Sequence, residues 1–187
     1  MVPLESPLTQ APLIEKSPIA VDIIYSEDLQ NHKCIIGNGY IAETWTIALG
    51  PPSIDMFNLI FNALFEKVLV VGNNADTLAS DGPKSIIEVG LLMLDGCNAS
   101  WPIVGASIGV AYEATLRNSE GVEIARWKGQ GKAGPDDYIE RYAGAASAIE
   151  VEIHYLTAVT SIAMRKAAAD FIINFDKNPR IRSWLGK

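Results

Sequence analysis

Imidazole is the side chain whose ordinary pKa suits acid–base chemistry near neutral pH, and the chain carries two histidines, His32 and His154. His32 stands in the polar stretch SEDLQNHK, and His154 begins a helical pattern beside Glu150 and Glu152. Glu150 and His154 are spaced to share a helix face. Two such groups do not hold zinc unaided, and the HExxH pattern is missing. A salt-linked surface histidine is the reading adopted. The acidic pairs Glu27-Asp28 and Asp136-Asp137 are adjacent in polar stretches, where solvation or helix capping accounts for them. A glycosidase pair assembled from distant carboxylates stays open as the hydrolase alternative.

The glycine clusters fail the same test. Gly129-Gln130-Gly131-Lys132 has the look of a phosphate loop, but Arg126 stands where the first glycine belongs and Ala133 where Ser or Thr belongs. Gly37-Asn38-Gly39 lacks a third glycine and a following helix, so a dinucleotide site is excluded. No GxSxG elbow occurs. The sequence therefore predicts no catalytic residue, no metal ligand set and no cofactor. The chain is read as a binding protein, not an enzyme.

Binding directs attention to large aromatics, which are favoured at interaction hot spots. The candidates are Trp101, Trp127, Trp45 and Trp184. Trp127 shares a hairpin face with Glu123, which suggests that this face is partly wet, and Trp101 precedes Pro102 in an irregular loop. Cys34 and Cys97 are too far apart for a CxxC motif. Two buried free thiols are the reading adopted; a disulfide is the alternative and would imply an oxidising compartment.

The elements that must position these residues follow from pattern and composition. The chain has 187 residues, 49% hydrophobic and 20% charged, enough for one domain with a full core. A net charge of −7 argues against nucleic acid as a partner, since phosphate binding needs a basic footprint. No run of 18 apolar residues is present. The first eighteen residues lack the basic and apolar regions of a secretory signal, so an exported form would already be mature.

Proline at positions 3, 7, 12 and 18 reads as a flexible, semi-extended tether over 1–18, followed by a single α/β domain over 19–187. Ile19 to Tyr25 and Thr44 to Leu49 read as strands. Ser53 reads as the cap of a helix whose apolar face carries Ile54, Phe57, Phe61, Leu64, Phe65 and Val68. Val68 to Gly72 and Ser85 to Leu94 read as strands, the latter apolar on both faces and therefore central. Strict alternation from Ile108 to Arg117 gives a half-exposed strand that turns at Asn118–Gly121 into Val122 to Gly129, and GQGKAGPDD breaks the chain. A long final helix presents Leu156, Val159, Ala163, Ala167, Phe171 and Phe175 as one stripe, with Arg165, Lys166 and Asp170 facing out. The fold class expected is α+β, a mixed, mostly antiparallel sheet of about five to six strands with two helices packed on one face.

The proline-rich start, the strand VDIIYSEDLQ, the unit TIALGPPSIDMFNLIFNALFEKVLVV and the ending AAADFIINFDKNPRIRSWL together resemble small Gram-negative outer-membrane lipoproteins of the envelope-assembly and ABC-transport auxiliary type. The resemblance spans roughly residues 18–185 in layout. It implies a small sheet with two helices, a periplasmic domain tethered to the outer membrane, and an envelope protein partner or a lipid. It also implies an N-terminal lipidated cysteine as membrane anchor, where this chain has Met1-Val2. The function expected is non-catalytic binding in envelope assembly or transport. The alternatives are a lipid carrier with an apolar cleft lined by Phe57, Phe61 and Phe171, a small hydrolase using Glu150 or His154, and an intracellular scaffold. The sequence sets no oligomeric state.

Overall fold

A computed structural model describes residues 4, 6–8, 10–37, 44–71, 85–96, 107–138 and 148–187. The β-branched run near the start forms β1, Ser17–Tyr25. Ser26 then caps α1, Glu27–Asn31, its hydroxyl accepting from the Leu29 N–H at 3.2 Å. The polar stretch read as a loop therefore contains one helical turn. Lys33–Gly37 (β2) and Thr44–Ala48 (β3) pair as a separate antiparallel ribbon. There follow α2 (Gly50–Leu64), β4 (Phe65–Val70), β5 (Ser85–Asp95), β6 (Ile108–Arg117) and β7 (Glu123–Ala133). A 3-10 turn at Pro135–Asp137 precedes α3 (Ala148–Lys177) and α4 (Pro179–Trp184).

The main sheet has the order β4-β1-β5-β6-β7. β1 is parallel to both β4 and β5, whereas β5, β6 and β7 run antiparallel in turn. This is the expected mixed sheet, with β5 central. The two long helices share its inner face. Phe57 of α2 meets Tyr112 of β6 and Phe171 of α3, both with ring centroids 5.0 Å away, and Trp127 of β7 meets Phe171 at 5.2 Å. The opposite face is charged: Glu113 pairs with Arg126 and Lys128, and Glu88 with Arg117.

Several local expectations are corrected by packing. Ser53 caps nothing. α2 begins earlier, at Gly50 with prolines in its first turn, and the Ser53 hydroxyl is buried 2.9 Å from the Tyr112 hydroxyl. β6 is buried along nearly its whole length, not half-exposed. The segment Gly129-Gln130-Gly131-Lys132 is not a break, because β7 continues through it. α3 lies so close there that a methyl at Gly131 would collide with the Ala163 carbonyl and one at Gly129 with Phe171. Cys34 is buried and disulfide-bonded, so the free-thiol reading is overturned; the other cysteine, Cys97, lies outside the described residues.

The proline-rich stretch read as a flexible tether is, in its described residues, laid against the domain. Pro7 is buried and its carbonyl accepts from Arg165 Nε at 2.6 Å, while Leu4, Leu8 and Ile14 pack on the core. Proline keeps its carbonyl acceptor even though it lacks a donor, and a guanidinium on α3 uses it. β1 already begins at Ser17, inside the range read as tether.

α3 also closes the outer edge of β7. Side chains of α3, and of Asn178 between α3 and α4, meet the strand backbone in sequence: Asn178 donates to the Arg126 carbonyl (3.2 Å) and Asn174 to the Lys128 carbonyl (2.9 Å). Asp170 accepts from the Gln130 N–H (3.0 Å), and Lys166 donates to the Lys132 carbonyl (3.1 Å). Four helix residues rise ~6 Å and two strand residues ~6.6 Å, so the two periods stay in step over this length.

Gly129→Ala and Gly131→Ala are each expected to cost about 1–3 kcal/mol, the usual size for overpacking. Gln130→Ala, exposed between them, should stay within about 0.5 kcal/mol of the parent. Urea unfolding checks both; a neutral Gly131→Ala would show that the helix does not sit on the strand backbone.

A second expectation concerns alkaline pH. Burial raises the phenol pKa of Tyr112, against a smaller opposing effect of its hydrogen bond to Ser53, and burial with Asp55 nearby raises that of Tyr25. In both, the folded state favours the protonated form, so their contribution is complete below the ordinary tyrosine pKa of about 10 and is lost as pH climbs above it. Ultraviolet titration should find these two of the six tyrosines ionising only as the protein unfolds. Ionisation of every phenol in one reversible step before unfolding would contradict the packing.

Candidate functional site

The four tryptophans do not form one site. Trp127 is 4% exposed, with its ring against Phe171 at 5.2 Å and Phe175 at 5.4 Å. It is a core residue and cannot serve as a surface anchor. The inference from Glu123 fails because the β6–β7 register shifts between Leu116 and Arg117. That bulge places Glu123 on the charged face, where it bonds Arg126 at 2.8 Å. Trp184 on α4 is half-buried, edge-on to Phe65 at 6.0 Å. Trp45 lies in β3 with its side chain outside the described residues, and Trp101 is outside them altogether.

The cleft required by the lipid-carrier alternative is filled. Phe57, Phe61 and Phe171 are buried against one another, with centroid separations of 5.0, 5.9 and 6.1 Å. Rings in contact at these distances leave no room for an acyl chain between them. The acid–base candidates are not gathered either. His154 is exposed on α3, and the side chain of Glu150 lies outside the described residues. No group of three potential metal ligands occurs among the described residues.

Open to solvent at the end of the helical layer is an apolar groove. Leu64 from the end of α2, Ile172, Ile173 and Phe175 of α3, Leu185 beyond α4, and Leu13 and Ile14 of the N-terminal segment line a cavity of about 500 Å³. Leu13 is fully exposed and Ile173 is 47% exposed. The rim is charged in both senses, with Glu15 and Asp176 against Lys177 and Lys187. An apolar centre with a charged rim is the arrangement of protein–protein contact surfaces.

The elements explain why these residues meet. The buried stripe of α3 uses Phe171 and Phe175, so Ile172 falls half-buried at its margin and Ile173 on its solvent side. The N-terminal segment, pinned at Pro7 and entering the sheet at Ser17, brings Leu13 and Ile14 to them. Sequence reading missed this groove. The available signal was a second apolar pair on α3, off the main stripe, together with a leucine and an isoleucine inside a segment assigned to a tether.

No family model and no curated protein matches the chain. Among solved structures it is similar to protein XCC0632 from Xanthomonas campestris, of the DUF330 family, at 8% identity and a TM-score of 0.48, with 94% of this chain and 91% of that one covered. It is similar to the hypothetical protein CT253 from Chlamydia trachomatis at 9% identity and a TM-score of 0.40, covering 83% and 96%. It is also similar to the lipoprotein GNA1162 from Neisseria meningitidis at 12% identity and a TM-score of 0.32, covering 76% and 97%. Every TM-score lies below 0.5, so no property of these proteins is carried to this chain.

Proposed function

We propose that this chain is a non-catalytic cell-envelope domain of the outer-membrane lipoprotein type, facing the periplasm, which docks a partner protein through the groove between its N-terminal segment and α3. The observation that carries the reading is the groove itself: Leu13 and Ile173 stand in solvent beside a core that is otherwise filled. Covering an exposed aliphatic side chain of this size is worth about 1.5–3 kcal/mol, enough for two of them to anchor a contact. The balanced rim favours a polypeptide over an anionic lipid surface, which would select for basic residues alone.

The Cys34 disulfide fits an oxidising compartment, where such bonds persist. The N-terminal segment ends beside the groove, so a membrane anchor on that side would hold the groove in a set relation to the anchor. No helix among the described residues is long and apolar enough to cross a membrane, and attachment through the N-terminal side requires none.

A photocrosslinking residue at Leu13, introduced in the native host, should give a discrete protein adduct. The adduct should fall at least tenfold when Ile173→Asp is added, and should be absent when the crosslinker replaces Lys128 on the charged face. Ile173→Asp itself should shift stability by no more than about 0.5 kcal/mol, because the site is exposed. A lipid adduct, or an adduct indifferent to Ile173→Asp, would sink the docking reading. The compartment is checked separately: in intact cells Cys34 should resist maleimide until a reductant is added, and labelling without reductant would argue against an oxidising location.

A further inference from the structure

The main sheet contains a notch. β1 ends at Tyr25, paired with Val89, and the chain turns away into α1 after the Ser26 N–H bonds the Val89 carbonyl at 2.9 Å. β5 continues to Asp95 with β6 as its one remaining neighbour among the described residues. Its other edge, over Leu91–Leu94, faces a cavity of about 620 Å³ walled by α1. A strand edge presents alternating N–H and C=O groups, which a further extended segment can satisfy.

Two features prepare the notch for an apolar guest. The β5–β6 register shifts between Leu91 and Met93, so Leu92 is an extra residue in the ladder. Successive strand side chains ordinarily point to opposite faces, but the bulge leaves both Leu92 and Met93 about half exposed, at 49% and 52%. The α1 wall adds Glu27 and Asp28, both exposed and without an ion pair among the described residues. Among the described lining residues Lys33 is the one lysine or arginine, and burial holds the His32 imidazole below its ordinary pKa, against the opposing pull of Asp28.

We infer that the notch receives an extended segment of a partner protein, carrying aliphatic side chains and at least one Lys or Arg, which adds to β5 in the place β1 vacates. The guest's backbone bonds the edge over Leu91–Leu94, its aliphatic groups cover Leu92 and Met93, and its cation meets Glu27 and Asp28. The chemistry differs from that of the groove beside α3, and the two sites stand or fall separately.

Blocked hexapeptides test this with the intact chain. A peptide alternating leucine and lysine should bind and slow amide hydrogen exchange at Leu91–Leu94. Its leucine–glutamate counterpart should bind at least tenfold more weakly, and so should a backbone N-methylated leucine–lysine peptide, which keeps the side chains but loses the donors. Charge reversal by Glu27→Lys with Asp28→Lys, and separately Met93→Asp, should each weaken the leucine–lysine peptide about tenfold without unfolding the domain, since all three positions are exposed. Failure to bind, equal binding of the N-methylated or acidic peptide, or protection of Leu91–Leu94 by self-association in sedimentation would each overturn the assignment.

Discussion

The close approach of α3 to the backbone of β7 is the constraint on which the rest of this structure depends. At Gly129 and Gly131 the strand offers no Cβ, and at Ala163 and Ala167 the helix offers little more, so the two backbones nearly touch. That contact sets the height of α3 above the sheet. At this height Trp127, two residues before Gly129, fills the space against Phe171 and Phe175, and Phe171 in turn reaches Phe57 and Phe61 on α2. Raising the helix by one methyl would separate these rings, because dispersion contacts fall away within an ångström. The same height lets Lys166, Asp170, Asn174 and Asn178 reach the edge of β7, one every helical turn. A single small-residue contact thus orders the core and seals one flank of the sheet.

The molecule's open strand edges are treated differently from this sealed one. β7 is an edge strand, yet four of its backbone groups, the Arg126, Lys128 and Lys132 carbonyls and the Gln130 N–H, bond side chains of α3 and of Asn178 just after it. β4, at the other side, has no further strand beside it among the described residues and carries Glu66 and Lys67 exposed next to Leu69 and Val70; charge of this kind discourages strand addition. The stretch of β5 beyond β1 lacks both of these devices among the described residues: it is apolar over Leu91–Leu94 and its one irregularity is the bulge at Leu92. A strand edge without such devices is where another chain can pair.

Much of the architecture was legible in the sequence because it rests on periodicity. The β6–β7 hairpin, the α3 stripe from Leu156 to Phe175 and the mixed sheet under two helices all follow from which residues must be buried. What the sequence hid were places where tertiary contact overrules local preference. Glycine weakens a strand, so Gly129-Gln130-Gly131 read as a break, although those glycines exist to admit a helix. Ser53 has the chemistry of a cap but meets a buried phenol. A one-residue shift beside Arg117 sent Glu123 to the far face and left Trp127 in the core, so alternation counted from Glu123 misplaced the tryptophan.

The candidate site was less legible than the fold for a related reason. Burial is written as a period along one element, whereas a surface groove is assembled from several elements, each contributing residues that look incidental alone. Ile172 and Ile173 read as ordinary variation beside a strong stripe, and Leu13 as part of a tether. Tryptophan count pointed the other way, toward Trp127, because large aromatics serve cores as readily as interfaces. Only when Arg165 is seen holding the Pro7 carbonyl does the N-terminal segment acquire a fixed course, and that course brings Leu13 to Ile173. A segment so held is ordered by the domain it precedes, through the Arg165 guanidinium, the buried Pro7 and the half-buried Leu4 and Leu8. The groove and the N-terminal segment are therefore parts of one packed unit.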